Sequence, residues 1–198
     1  MLYPVPAVMV SCRKPGEKPN IITIAWAGTV CSSPVMVSIS VRPERHSYEI
    51  IQETGEFVIN LVTKDLIRAA DYCGVKSGRD TDKFEVCHLT PLESEVVGAP
   101  GIAECPVNLE CRVKEIKKLG SHDMFLAEVV GVTADDAYMD ENGTFQLNQA
   151  GLAAYSHGTY FELGKALGTF GFSVKKRKPG PKRDNKKETV KRGSNQKS

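Results

Sequence analysis

The residues best suited to chemistry sit in one short stretch. Arg42, Arg45, His46 and Ser47 fall within six positions, where the pattern turns from strand to helix. Two guanidinium groups, an imidazole, a hydroxyl and the open N–H groups of a helix start suit a phosphate-like anion, because the helix dipole favours negative charge there. The plainer alternative is a solvated Arg-Pro-Glu-Arg turn, with Ser47 acting only as an N-cap. Upstream, Thr23-Ile24-Ala25-Trp26-Ala27-Gly28-Thr29 ends a strand in small residues and a glycine. Such a strand end lets a flat ligand approach the backbone closely. Between these stretches, Ser38 and Ser40 alternate along a strand and therefore share one face. A second polar cluster, KSGRDTDKF at residues 76–84, is rich in side-chain donors. Its composition favours an ordinary surface loop over a binding loop.

Other constellations carry less. Ser121, His122 and Asp123 are neighbours in sequence, which is poor geometry for a triad. His122 reads as a turn histidine at the start of a strand. His157, in the run YSHGTY, suits either contact with an aromatic ligand or packing on its tyrosines. Residues 74–78 place the serine one position late for a nucleophile elbow. No G-x-G-x-x-G, P-loop or H-E-x-x-H occurs. The six cysteines, at 12, 31, 73, 87, 105 and 111, contain no C-x-x-C spacing. They lie mostly in apolar runs and read as buried, reduced thiols without a metal.

The elements that must position these residues are short and β-rich. Residues 5–11, 20–26, 34–41, 56–62, 105–117 and 125–132 read as six strands, the first two joined as a hairpin through the turn KPGEKP. Residues 47–54, 64–72 and 161–170 read as helices, and Asn142-Gly143 as a turn needing positive φ. Regular helices between strands are missing, so a β-barrel with helical decoration fits better than a parallel α/β sheet.

Charge divides the chain. The 198 residues carry 26 Lys/Arg and 24 Asp/Glu. Residues 175–198 hold 11 of the basic and 2 of the acidic groups, leaving 15 and 22 in the body, a net charge of −7. This is an acidic domain over residues 1–174 followed by a basic tail over 175–198, too poor in apolar residues to fold by itself. An acidic body without a basic and aromatic stripe argues against nucleic acid as a partner. The apolar start lacks a preceding basic stretch, and no apolar run reaches membrane length. A soluble, cytoplasmic protein away from the membrane is expected.

The stretches NIITIAWAGTVCSSPVMVSISVRPERHSYEII, GEFVINLV, ADYCGVKSGRDTDKF and LGSHDMFLAEVVGV together resemble the flavin reductase-like, FMN-binding split-barrel proteins, and among them the flavoredoxin-like group. The resemblance covers roughly residues 3–172. It implies a mainly β fold, a six-stranded antiparallel Greek-key split barrel with a few short helices. It also implies a homodimer with FMN held non-covalently near the interface. By position, Thr23, Ile24, Ala25 and Trp26 would run beside the isoalloxazine, with Thr29 and Cys31 also lining the ring. Ser38 and Ser40 would face the ribityl or phosphate region. Arg45, His46 and Ser47 would bind the phosphate, and Ser77, Arg79 and Lys83 would close over the cofactor. No nucleophile is needed; His122 and His157 are the candidates for proton delivery. The activity implied is an FMN-dependent oxidoreductase. It would take electrons from NAD(P)H or a ferredoxin-like iron–sulfur carrier and pass them to flavin, ferric iron or a protein acceptor. The alternative of another class is a non-enzymatic FMN carrier, store or sensor.

Overall fold

The computed structural model describes residues 2–175. Apart from Lys175, the expected tail therefore lies outside the described residues. The chain divides into two units, one ending at Leu163 and the other starting at Gly164. In the second, Gly171 at φ 77° turns the chain into a single 3-10 turn, Phe172–Val174.

The first unit is built on one antiparallel sheet. Its strands in chain order are β1 (Val5–Pro6), β2 (Val8–Cys12), β3 (Asn20–Ile24), β4 (Ala27–Ser32), β5 (Val35–Val41), β6 (Glu56–Leu61), β7 (Pro91–Leu92), β8 (Gly101–Ile102), β9 (Val107–Lys118), β10 (Asp123–Ala134), β11 (Ala153–Ser156) and β12 (Thr159–Glu162). Seven of these form the main sheet, in the order β3-β2-β6-β9-β10-β5-β4. β1, β11 and β12 make a small second sheet, and β7 pairs with β8. The helices are α1 (His46–Thr54), α2 (Ile67–Val75) and α3 (Lys83–Val86).

All six expected strands are present. The seventh, β4, continues directly from β3 after a bend at Ala25 and Trp26. β3 and β4 form the two opposite edges of the sheet. The barrel is therefore closed at this seam by the chain itself and not by a hydrogen-bonded ladder. This is why the expected strand 20–26 stops at Ile24. β4 then pairs with β5, and Ser40 N donates to Trp26 O at 2.9 Å just beyond that ladder.

Two cores explain the apolar runs. Val8, Val10, Ile22, Ile24, Val37, Ile39, Phe57, Ile59 and Phe125 fill the inside of the sheet, joined by Tyr48, Ile50 and Ile51 of α1. The opposite faces of β2 and β3 present Met9 and Ile21 to a second core, with Ala70 and Cys73 of α2 and Phe84 of α3. Strands covered on both faces read as continuous apolar runs instead of alternating ones. The charged stretch of β9 alternates because its outer half is solvated.

Two expectations change in detail. Residues 161–170 form no helix: Thr159–Glu162 pairs with β11, and Gly164 and Gly168 follow in chain that is neither helix nor strand. The helix expected from residue 64 opens as a 3-10 turn, Lys64–Leu66, before α2. The turn at Gly143 has φ 73°, as Asn-Gly requires. All six cysteines are unpaired, and Cys12, Cys73, Cys105 and Cys111 are buried.

One buried bond fixes α1 on the sheet beside the seam. Tyr48 Oη donates to Asp123 Oδ2 at 2.7 Å, where Asp123 opens β10 and is 4% exposed. Tyr48→Phe leaves that carboxylate short of a donor. It is expected to lower unfolding stability by about 1–3 kcal/mol in urea titration.

Candidate functional site at the barrel seam

Three hollows run together along the seam. The central one, about 340 Å³, is lined by Ile22, Thr23, Ile24, Ala25 and Trp26 on one side and by Ser40, Val41, Arg42 and Arg45 on the other, with Tyr3, Tyr155 and His122 around it. Arg45 and Ile22 are shared with a second hollow of about 370 Å³, whose walls include His46, Ser47, Ser77, Gly78, Arg79 and Lys83. Trp26, Ala25, Tyr3 and Ser40 are shared with a third, which reaches Gly28 and Ser38. The result is one elongated trough, cationic at one end and aromatic at the other.

The cationic end is built by a turn and a helix start. Pro43 and the Arg45 N to Arg42 O bond, 3.1 Å, fold the chain out of β5 and into α1. Arg45 occupies the N-cap with extended backbone and makes no side-chain cap bond, so the first N–H groups of α1 lack a side-chain acceptor from it. His46 Nδ1 is buried and has no hydrogen-bond partner, which calls for a ligand atom or water. Burial, and next the nearby Arg79, hold the His46 imidazole below its usual range. Arg79 reaches back across the trough, donating to Glu44 O at 3.4 Å.

Two predicted contacts serve the floor of the trough. The Ser47 hydroxyl accepts from Asn20 Nδ2 at 2.7 Å; its backbone N–H is what the helix start offers to an anion. Lys83 is 4% exposed, and its Nζ donates to Ile21 O at 2.7 Å and Cys73 O at 2.8 Å. It thus lays a positive charge beneath the hollow while tying α2 and α3 to β3. Burial pushes this ammonium below its ordinary range. Glycine suits position 78, because a Cβ there would collide with the Asn20 carboxamide.

The other end is set by the bend. Ala25 and Trp26 have left the sheet, and among the described residues neither backbone N–H has an acceptor. The Thr23 hydroxyl instead donates to Ala70 O, which anchors the edge strand to α2. Trp26 packs on His122 with ring centroids 4.5 Å apart. Burial, then Arg42, hold the His122 imidazole below its usual range.

The structure gathers Thr23, Ile24, Ala25, Trp26, Ser40, Arg45, His46, Ser47, Ser77, Arg79, Lys83 and His122 along this trough. Ser38 and Ser40 share a face; Ser40 lines the central hollow with Arg42 and Arg45, and both serines line the third hollow at the aromatic end. Thr29 and Cys31 lie on the edge strand β4 and line none of the three hollows. His157 sits at a φ 47° turn, packed on Tyr3 at 5.0 Å and outside the trough. Sequence reading missed Tyr3 and Tyr155, which β1 and β11 bring together from the two ends of the unit. It also missed Asn20; no local pattern marks any of the three.

This architecture, a curled antiparallel sheet split at a ligand-sized seam, is the split barrel of flavin-binding oxidoreductases. The chain matches the flavin reductase like domain over residues 1–164 and belongs to that family. It is 35% identical over 139 residues to an uncharacterized protein of Archaeoglobus fulgidus, covering 70% of this chain and 77% of the relative. Among solved structures, it is similar to the flavoredoxin of Desulfovibrio vulgaris (Miyazaki F), with TM-score 0.81 and 29% identity over 88% of this chain and 95% of that one. It is also similar to the flavoredoxin of Methanosarcina acetivorans, with TM-score 0.80 and 26% identity at the same coverages.

The two depressed histidines give a pH test. Their folded-state values lie below the unfolded ones, so the unfolded chain binds more protons as pH falls. Their contribution to stability is complete above the ordinary imidazole range and is lost as pH falls through it. Ring resonances of His46 and His122 are expected to titrate at lower pH in the folded protein than in urea. Midpoints equal to the denatured values would refute the burial described here.

Proposed function

We propose that the trough binds FMN non-covalently and that the protein is an FMN-dependent oxidoreductase of flavin reductase or flavoredoxin type. The supporting observation is the polarity of the trough: arginines, the orphan His46 Nδ1 and a helix start at one end, free backbone N–H groups and aromatic rings at the other. FMN has the same polarity, a phosphate of nearly two negative charges at one end and a flat ring at the other. The residues present fit the group.

Arg45, Arg79 and the first N–H groups of α1 would hold the phosphate, with His46 donating from Nδ1 when protonated. The neighbourhood of Lys83 adds positive charge from below. Ser40 would meet the ribityl chain, and Ala25 and Trp26 would present their N–H groups to the ring edge. When bound, FMN supplies hydride and single-electron transfer, and the protein sets its orientation and surroundings. His122, packed at a tilt on Trp26 at the trough wall, is the residue that would relay a proton; the position of His157 behind Tyr3 supports it less. Tyr3, Tyr155 and Trp26 would restrict water at the ring end.

The electron donor would be NAD(P)H or a reduced ferredoxin-like carrier, the acceptor a flavin, ferric iron or a protein. A homodimer is supported by the open edge of β4, where Val30 and, next along the hairpin, Val35 are half exposed. None of the described helices is long and apolar enough to cross a membrane.

Arg45→Ala is expected to weaken FMN about tenfold or more, the loss of one charge-assisted bond, while leaving riboflavin affinity nearly unchanged. Equal weakening of both ligands, measured by fluorescence titration, would make Arg45 structural. The activity is tested by anaerobic addition of NADPH and then NADH to the flavin-loaded protein. Rapid bleaching is expected of a nicotinamide-dependent enzyme; flavin that stays oxidised with both, yet is reduced by ferredoxin, assigns the other donor. Flavin inert to all three donors would favour the carrier reading.

A further inference from the structure

The hairpin of β9 and β10 turns at the trough wall, through Leu119, Gly120, Ser121 and His122. Leu119 N donates to His122 O at 3.2 Å and closes the turn, with Gly120 at φ 102°. The next residue, Asp123, is held by Tyr48 Oη, so His122 stands between two fixed points. The turn brings the Ser121 hydroxyl to 3.0 Å from His122 Nδ1. Ser121 is exposed. The imidazole is half-buried, packed at a tilt on Trp26, and lines the central hollow. One ring nitrogen is therefore taken by the turn. Nε2 is the one left for a ligand in the trough.

The proton on the ring decides what Nε2 offers. A neutral imidazole has one N–H and one bare nitrogen, and the bond made by one nitrogen sets the role of the other. Burial and Arg42 both favour that neutral ring. A hydroxyl can donate or accept, so the surroundings decide. The neighbouring groups of the trough are donors: the backbone N–H groups of Ala25 and Trp26, without acceptors among the described residues, and the Arg42 guanidinium. A bare Nε2 would set an acceptor among these donors and compete with the ligand for them. A hydroxyl that donates to Nδ1 leaves an N–H on Nε2, which extends the same donor wall.

We infer that Ser121 is the positioning residue of His122: its hydroxyl donates to Nδ1 and fixes the neutral ring in the Nε2–H form, giving the trough one more hydrogen-bond donor. Resting on the FMN assignment above, that donor serves the ring end of the cofactor and not its phosphate, because His122 lines the central hollow and not the cationic one.

The first test needs no flavin. Long-range proton–nitrogen NMR correlation of the His122 ring in the full-length protein, at about pH 8 and so above the ordinary imidazole range, reads the tautomer directly. The expected result is a single Nε2–H form in the unsubstituted protein, a mixture of both forms in Ser121→Ala, and the single form again in Ser121→Thr. An Nδ1–H form or a mixture in the unsubstituted protein would overturn the inference. So would a Ser121→Ala ring that keeps the single Nε2–H form. The second test titrates FMN and riboflavin by fluorescence. Ser121→Ala is expected to weaken both about fivefold, as for one neutral hydrogen bond at the ring, and Ser121→Thr to restore both. Weakening of FMN alone, or of neither flavin, would remove the role at the ring end. A chain with the expected tautomers that binds neither flavin would refute the cofactor assignment and leave Ser121 as the residue that orients His122.

Discussion

The whole site depends on a barrel that does not close by hydrogen bonds. β3 and β4 are consecutive in the chain yet lie at opposite edges of the main sheet. Only the bend at Ala25 and Trp26 spans the gap. Backbone N–H groups carry an obligation to find an acceptor, and at the bend the ladder supplies none. A closed barrel would bury those groups against a partner strand and fill the space with side chains. The seam leaves them at the wall of a trough, where small residues keep the backbone accessible.

A split edge would fray without anchors, and three bonds act as such. The Thr23 hydroxyl reaches Ala70 O on α2, and Lys83 Nζ reaches both Ile21 O on β3 and Cys73 O on α2. A buried ammonium is costly unless its donors are satisfied, and two carbonyls meet most of that requirement here. The same charge adds to the field of Arg45 and Arg79 at the cationic end. On a body whose net charge is −7, this is a local reversal of sign. Such a reversal selects an anion at one place and not along a surface, in keeping with a phosphate ester and not a nucleic acid strand.

Much of this was legible in the sequence where local rules apply. The strand runs, the hairpin turn at residues 14–19 and the helix expected from Ser47, which begins one residue earlier at His46, follow from periodicity, turn chemistry and a proline. Arg45, His46 and Ser47 line one hollow together because neighbours in sequence remain neighbours at a helix start. What could not be read depends on long-range closure. Tyr3 and Tyr155 meet only because β1 pairs with β11. Asn20 matters because Gly78, far along the chain, packs on it. Residues 161–170 have helical apolar spacing, but pairing with β11 takes the first of them into a strand and the glycines that follow do not favour a helix. Ser38 shows the limit of alternation: it fixes which residues share a face, not which end of a trough that face meets.

The most direct measurement is a crystal structure of the full-length protein grown with FMN. The account places the phosphate against Arg45 and the first N–H groups of α1, within hydrogen-bond distance of His46 Nδ1, and the ring edge against the backbone of Ala25 and Trp26. A phosphate at the aromatic end beside Ser38, or a flavin bound outside the seam, would contradict it.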